Sequence, residues 1–161
     1  MNKAVFLDRD GIINKERKDY VKTIDELEIF ENISWCIKQL KKNNYLVIVI
    51  TNQSAINRGL IDIQKIDEIH AEIQRYLAKF NTEIDAFYFC PHRPDENCFC
   101  RKPNPGLIIQ ASNDFDIDLK SSWMIGDNES DILSGQNAGC HTLKISHNNE
   151  LISSINQILN F

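Results

Sequence analysis

The chain lacks any apolar run near the ~20 residues needed to span a bilayer; its longest, YLVIVI at 45–50, has six. The opening MNKAVFLDRD meets charge too early for a secretory signal, so the cytoplasm is the expected compartment. A basic excess is missing too: 18 Lys and Arg face 23 Asp and Glu, a net charge of −5. That sign argues against a nucleic-acid groove, although a small anionic substrate stays compatible because the local field outweighs the total. The five cysteines are an odd number, which speaks against a disulfide framework in a cytosolic chain. No internal repeat, low-complexity tract or linker interrupts the sequence. With 42% apolar and 25% charged residues in 161, a single globular domain, 1–161, with one buried core is expected.

Short apolar runs recur at 4–8, 45–51, 86–90, 122–126 and 142–146. They are continuous rather than alternating, as strands of a parallel sheet buried on both faces would be. Amphipathic stretches at 32–43, 62–80, 105–114, 129–138 and 149–160 separate them. In 62–80 the stripe Ile63, Ile66, Ile69, Ile73, Leu77 and Phe80 steps by three or four, with Asp62 as N-cap; Gly139 suits a helix stop. The alternation predicts a three-layer α/β/α sandwich with an open, mainly parallel, Rossmann-like sheet. Ligands of such sheets bind beyond the carboxyl ends of the strands, where Asp8, Thr51, Cys90 and Asp127 all fall.

Asp8 and Asp10 stand two apart on an extended segment, so both carboxylates can face one ligand. Two acids this close repel, and a bound cation relieves them; Asp127 would add a third contact to a hard ion such as Mg²⁺. Thr51 and Asn52 offer neutral donors for phosphoryl oxygens, and Lys102, restrained by Pro103 and Pro105, offers a fixed cation. Lys15, Arg17, Lys18, Arg58 and Arg101 lie in loops able to cluster near the aspartates. Cys90, His92, Cys98 and Cys100 form a C-x-H…C-x-C pattern, three thiolates and an imidazole for a closed, structural Zn²⁺ site. Cys100 directly precedes Arg101-Lys102, so this loop at 90–100 would fix the phosphate-gripping lysine. Cys36 reads as core; Cys140, His70, His141 and His147 show no partners in the sequence and are expected in bland roles.

The order DxDGxxN (Asp8, Asp10, Gly11, Asn14), a strand-ending Thr51, the loop Lys102 and GDxxxD (Gly126, Asp127, Asp131) resembles the haloacid dehalogenase (HAD) superfamily of phosphatases over residues 4–139. The resemblance implies that Asp8 is the nucleophile and Asp10 the acid–base group. It also implies that Asp8, the Asp10 carbonyl and Asp127 hold Mg²⁺, with Asp131 supporting the metal shell. The segment CPHRPDENCFCRKPNPG resembles the zinc loop of two families in that superfamily, heptose 1,7-bisphosphate phosphatases and histidinol-phosphatases, and NQSAINRG (52–59) and KPNPG favour the former. The implied reaction is removal of the 7-phosphate of D-glycero-D-manno-heptose 1,7-bisphosphate by a monomer without a separate cap domain. Gln53, Ser54, Arg58 and Arg101 would join Thr51, Asn52 and Lys102 in binding the phosphorylated sugar. Ala55, Asn57, Phe99 and Asn128 depart from the usual Gly, Ala, Asp and Lys. The alternatives are a histidinol-phosphate or other small sugar-phosphate phosphatase, a polynucleotide 3′-phosphatase, and a non-enzymatic phospho-receiver domain.

Overall fold

The computed structural model describes residues 1–161. Five strands, β1 (Lys3–Leu7), β2 (Tyr45–Asn52), β3 (Ala86–Cys90), β4 (Trp123–Gly126) and β5 (His141–Lys144), alternate with five helices. These are α1 (Ile33–Lys42), α2 (Ile63–Ala78), α3 (Gly106–Phe115), α4 (Glu129–Ala138) and α5 (Leu151–Leu159). Every strand pairing is parallel, in the order β3-β2-β1-β4-β5. The expected α/β sandwich is therefore the observed one, and the chain reverses its direction of sheet growth between β1 and β4, where a crevice opens.

Period-two alternation divides the core between two layers. Val5 and Leu7, Val47 and Val49, and Trp123 and Ile125 face the layer filled by α1, α2 and α5. Ala4 and Phe6, Ile48 and Ile50, and Met124 face the smaller layer under α3. A Cβ on Gly135 of α4 would meet the side chain of Met124, so glycine brings α4 down onto that second face. Burial on both faces holds for β1 and β4, whereas β3 and β5 are edges and only partly buried, a correction to the uniform sequence pattern. The α2 stripe also shortens: Ile63 and Phe80 are exposed, the latter beyond the helix end. Asp62 caps α2 by accepting from the Lys65 N–H at 2.9 Å, and Gly139 ends α4 in the left-handed region.

Register decides where the chemistry goes. Leu7 lies opposite Val49 on one side and Ile125 on the other, so Asp8 leaves β1 level with the ends of β2 and β4.

Candidate active site

Lys102 is the centre of the site. It is buried, and its three ammonium protons meet Oδ1 of Asp8, Oδ1 of Asp131 and the Ile50 carbonyl, each at 2.7 Å. The expected free cation is thus already saturated, bridging two acids from different elements. The carboxylates of Asp8, Asp127 and Asp131 converge, with one ligand oxygen of each within 4.8 Å of the others. Close approach needs small neighbours: a Cβ on Gly11, whose φ is +90°, would land on the Asp127 carboxylate, and one on Gly126 would land on Asp131. The Asn128 N–H and the side chain of Asn128 donate to Asp131 and Asp127 at 3.1 and 3.0 Å.

Three carboxylates against one lysine leave the floor negative. Burial pushes the Asp8 carboxyl up to about 8, with Lys102 opposing and Asp131 and Asp10 adding to the rise. Lys102 itself is raised by Asp8 and Asp131 in spite of burial, so it keeps its proton. Asp127 is raised by burial and by Asp131, and Glu16 at the rim by burial and Asp127. This is a donor set of hard oxygens with uncompensated charge, suited to a divalent cation.

The carboxylate of Asp10 does not join that cluster. It accepts from Arg9 at 2.9 and 3.2 Å, from Asn14 at 3.0 Å and from Gln53 at 2.9 Å. Burial would raise it, but the Arg9 guanidinium and the amide donors hold it below the usual carboxylate range. Gln53 also donates to the hydroxyl of buried Thr51 at 2.9 Å, which leaves the Thr51 proton available to a ligand. Asn52 lines the cleft, as the expectation requires, and its side chain is also engaged within the chain. Its amide accepts from the Lys102 N–H at 3.0 Å and donates to the Lys102 carbonyl at 3.2 Å, clamping the backbone that presents the lysine.

A cleft of about 310 Å³ opens above these groups, with Ser54, Arg58 and Arg101 in its wall. Arg58 donates to the Ser54 hydroxyl at 3.2 Å, and Arg101 to the His92 carbonyl at 3.1 Å. Lys15 and Arg17 do not join them; they pair with Glu28 and with Asp19 and Glu26. Glu16, Tyr20 and Ser130 line the cleft without having been singled out in the sequence. A larger, open depression of about 600 Å³ lies among Lys38, Lys41 and Lys42, away from all of this chemistry.

Cys90, His92, Cys98 and Cys100 come together at the end of β3, able to hold one metal ion. Nδ1 of His92 lies 3.3 and 3.2 Å from Sγ of Cys90 and Cys100, and Cys90 lies 3.6 and 2.9 Å from Cys98 and Cys100. Burial opposes ionisation of Cys98, but the Arg101 N–H and the neighbouring thiols bring it down to about 7, while burial raises Cys90. Asn57, in the 53–60 loop, donates to both oxygens of Glu96 at 3.2 and 3.1 Å, tying the two loops together. Cys36 is core as expected, whereas His70 is not bland: it is buried against Arg9.

A family model described as HAD-hydrolase-like matches residues 99–151. Over 138 residues the chain is 46% identical to D-glycero-beta-D-manno-heptose-1,7-bisphosphate 7-phosphatase of Helicobacter pylori, spanning 85% of this chain and 79% of that relative. The chain belongs to the heptose-1,7-bisphosphate 7-phosphatase family. Its HAD-like phosphatase relatives include the D-glycero-alpha-D-manno-heptose enzyme of Campylobacter jejuni, 41% identical over 88% of this chain and 80% of that one. The crystal structure of D,D-heptose 1,7-bisphosphate phosphatase from B. bronchiseptica, complexed with magnesium and phosphate, matches with a TM-score of 0.86 at 32% identity. That match covers 94% of this chain and 86% of the other.

Proposed function

We propose that this phosphatase removes the 7-phosphate of D-glycero-D-manno-heptose 1,7-bisphosphate through an aspartyl phosphate on Asp8. The observation that carries the reading is the ion pair of Lys102 with both Asp8 and Asp131 on the cleft floor, beside a separately held Asp10. Asp8 attacks phosphorus, and the bond from phosphorus to the sugar oxygen breaks. Asp10, ionised at rest beside Arg9, must first take up a proton; it gives that proton to the departing alkoxide, then takes one from the water that attacks the aspartyl phosphate and releases inorganic phosphate. Thr51 and Lys102 grip the phosphoryl oxygens, and Lys102 must release one present partner to do so. Arg58 and Arg101 bind the phosphate that is retained.

Asp8, the Asp10 carbonyl and Asp127 would hold Mg²⁺, which when bound neutralises charge on the transferring group and returns Asp8 to the anionic form. Cys90, His92, Cys98 and Cys100 would hold a structural Zn²⁺. A tetrahedron of ~2.3 Å metal–sulfur bonds has edges of about 3.8 Å; the contacts of 3.3, 3.6, 3.2 and 2.9 Å among these ligand atoms are shorter and would open by about 1 Å or less around an ion. The reading treats the chain as one domain and a cytoplasmic monomer. No helix is long and apolar enough to cross a membrane, and the net charge does not favour nucleic acid.

Phosphate release with Mg²⁺ from both anomers of heptose 1,7-bisphosphate, fructose 1,6-bisphosphate and histidinol phosphate tests the proposal. A large preference for one heptose anomer supports it. Preference for histidinol phosphate transfers the site to the other zinc-loop family, and one phosphorylation without turnover would leave a receiver.

A further inference from the structure

Between the two reacting aspartates stands a third charge that the chemistry above does not use. Arg9 follows Asp8 in the chain and has no solvent exposure. Its carbonyl accepts from the N–H groups of Ile12 and Ile13 at 3.2 and 2.8 Å, so the turn after β1 is wound around it. A buried guanidinium is tolerated only when its donors are matched. One arm forks onto Asp10, at 2.9 and 3.2 Å, and the other lies 3.3 Å from Nε2 of His70 on α2; Nε has no partner.

An arginine can only donate, so Nε2 of His70 is the acceptor and the ring proton sits on Nδ1. The environment agrees. The imidazole is buried and stacked on Phe87, with ring centroids 4.4 Å apart and planes 15° apart. Burial and the Arg9 charge push its pKa down to about 3, leaving it neutral. A neutral acceptor anchors one end of the guanidinium without competing for its charge, and the other end is delivered whole to Asp10.

We infer that Arg9, seated on His70, is the positioning residue that orients the Asp10 carboxylate for its exchange of protons with leaving group and water. The inference rests on Asp10 serving as the acid–base group of the proposed reaction. It touches neither substrate nor metal, so its signature is selectivity for leaving group. An alkoxide needs the Asp10 proton, and a p-nitrophenolate does not. The specificity constant kcat/KM reports the first phosphoryl transfer, where that difference is expressed.

The test compares kcat/KM for heptose 1,7-bisphosphate and p-nitrophenyl phosphate in the wild type, H70F and H70Q. H70F keeps an aromatic ring against Phe87 but removes the acceptor; H70Q returns an acceptor at similar reach. With H70F the sugar phosphate should lose roughly 10- to 100-fold, the scale for a residue that orients a reacting group, and the aryl phosphate less than about threefold. H70Q should recover most of the sugar-phosphate loss. Equal losses on both substrates, or no loss, overturn the inference and leave the phosphatase reading intact. A wild type inert towards both phosphates removes that reading and the inference with it. Long-range proton–nitrogen spectra of the wild type give a readout that needs no variant to fold: a proton on Nδ1 of His70 is expected, and one on Nε2 overturns the seat.

Discussion

The two candidate metal clusters are assembled in opposite ways. Cys90, His92, Cys98 and Cys100 come from one short loop, and their side chains meet within it. The acids come from the end of β1, the end of β4 and the first turn of α4, and Lys102 reaches Asp8 across 94 residues of sequence. A local cluster has little scaffold of its own and leans on its ion. The distant cluster is held by the sheet register and by a lysine that stands in for part of the missing positive charge. Metal should therefore matter for structure at the loop and for chemistry at the sheet.

The sharpest break in that comparison is Asp8→Asn. Phosphate release should fall by roughly 10⁴-fold or more, the scale of deleting a nucleophile, while the melting temperature holds or rises because a neutral amide replaces one of three crowded, buried carboxyls. Substantial residual turnover would rule out attack by Asp8. Lys102→Met should abolish turnover too, and here the fold suffers. Two buried carboxylates lose their common partner, at a cost of about 3–5 kcal/mol in metal-free protein, readable by denaturant titration. Mg²⁺ should restore part of it, and a metal-independent loss would deny that the acids form a cation site.

Cys98→Ser, or treatment with a zinc chelator, should act in the other direction: a clear fall in melting temperature with weaker phosphate binding. Arg101 is hydrogen-bonded to the loop through His92, and the Arg101 N–H donates to Cys98 Sγ at 3.3 Å, so the phosphate grip loosens with the knot. An unchanged melting point and full phosphate affinity would show that the loop stands without its ion. Asn52→Ala removes both bonds to the Lys102 backbone and should lower kcat about tenfold, within the range for residues that orient a functional group. An unchanged kcat would show that the Lys102 backbone holds its place without the Asn52 clamp.

A last effect, confined to acid conditions, is one of pH. The His70 pKa is depressed from its ordinary 6.5 to about 3, so the unfolded chain binds the extra proton between those values. Stability from this residue is present above pH 6.5 and is lost as pH falls towards 3. H70Q should flatten that acid limb in denaturant titrations at several pH values; an identical limb would mean that His70 is already protonated in the fold.

Much of this was legible beforehand. Continuous β-branched runs marked the strands, and the Asp62 and Gly139 signals located helix ends because caps are set by neighbours a few residues away. The thiol loop was legible for the same reason. Edge and centre were not: AFYFC and SWMIG look alike as strings, yet only the strand order makes β3 an edge and β4 interior. Nor was the fate of each polar donor. Asn52 and Lys102 were assigned to the ligand, and the structure turns Asn52 onto the lysine and the lysine onto two acids. The partnership of Arg9 with His70 left no signal, since one sits in a turn and the other halfway along a helix.

The sequence alone therefore determined which chemistry is present: an acid pair at a strand end, a loop lysine, a second Gly-Asp, and four soft ligands at fixed spacing. These follow from short-range geometry, where two or three residues decide what a side chain can face. Only the tertiary structure decided which groups share a proton, a lysine or a buried guanidinium. Those pairings depend on parallel register and crossover, which bring residues tens of positions apart within 3 Å and exclude the water that would otherwise screen them.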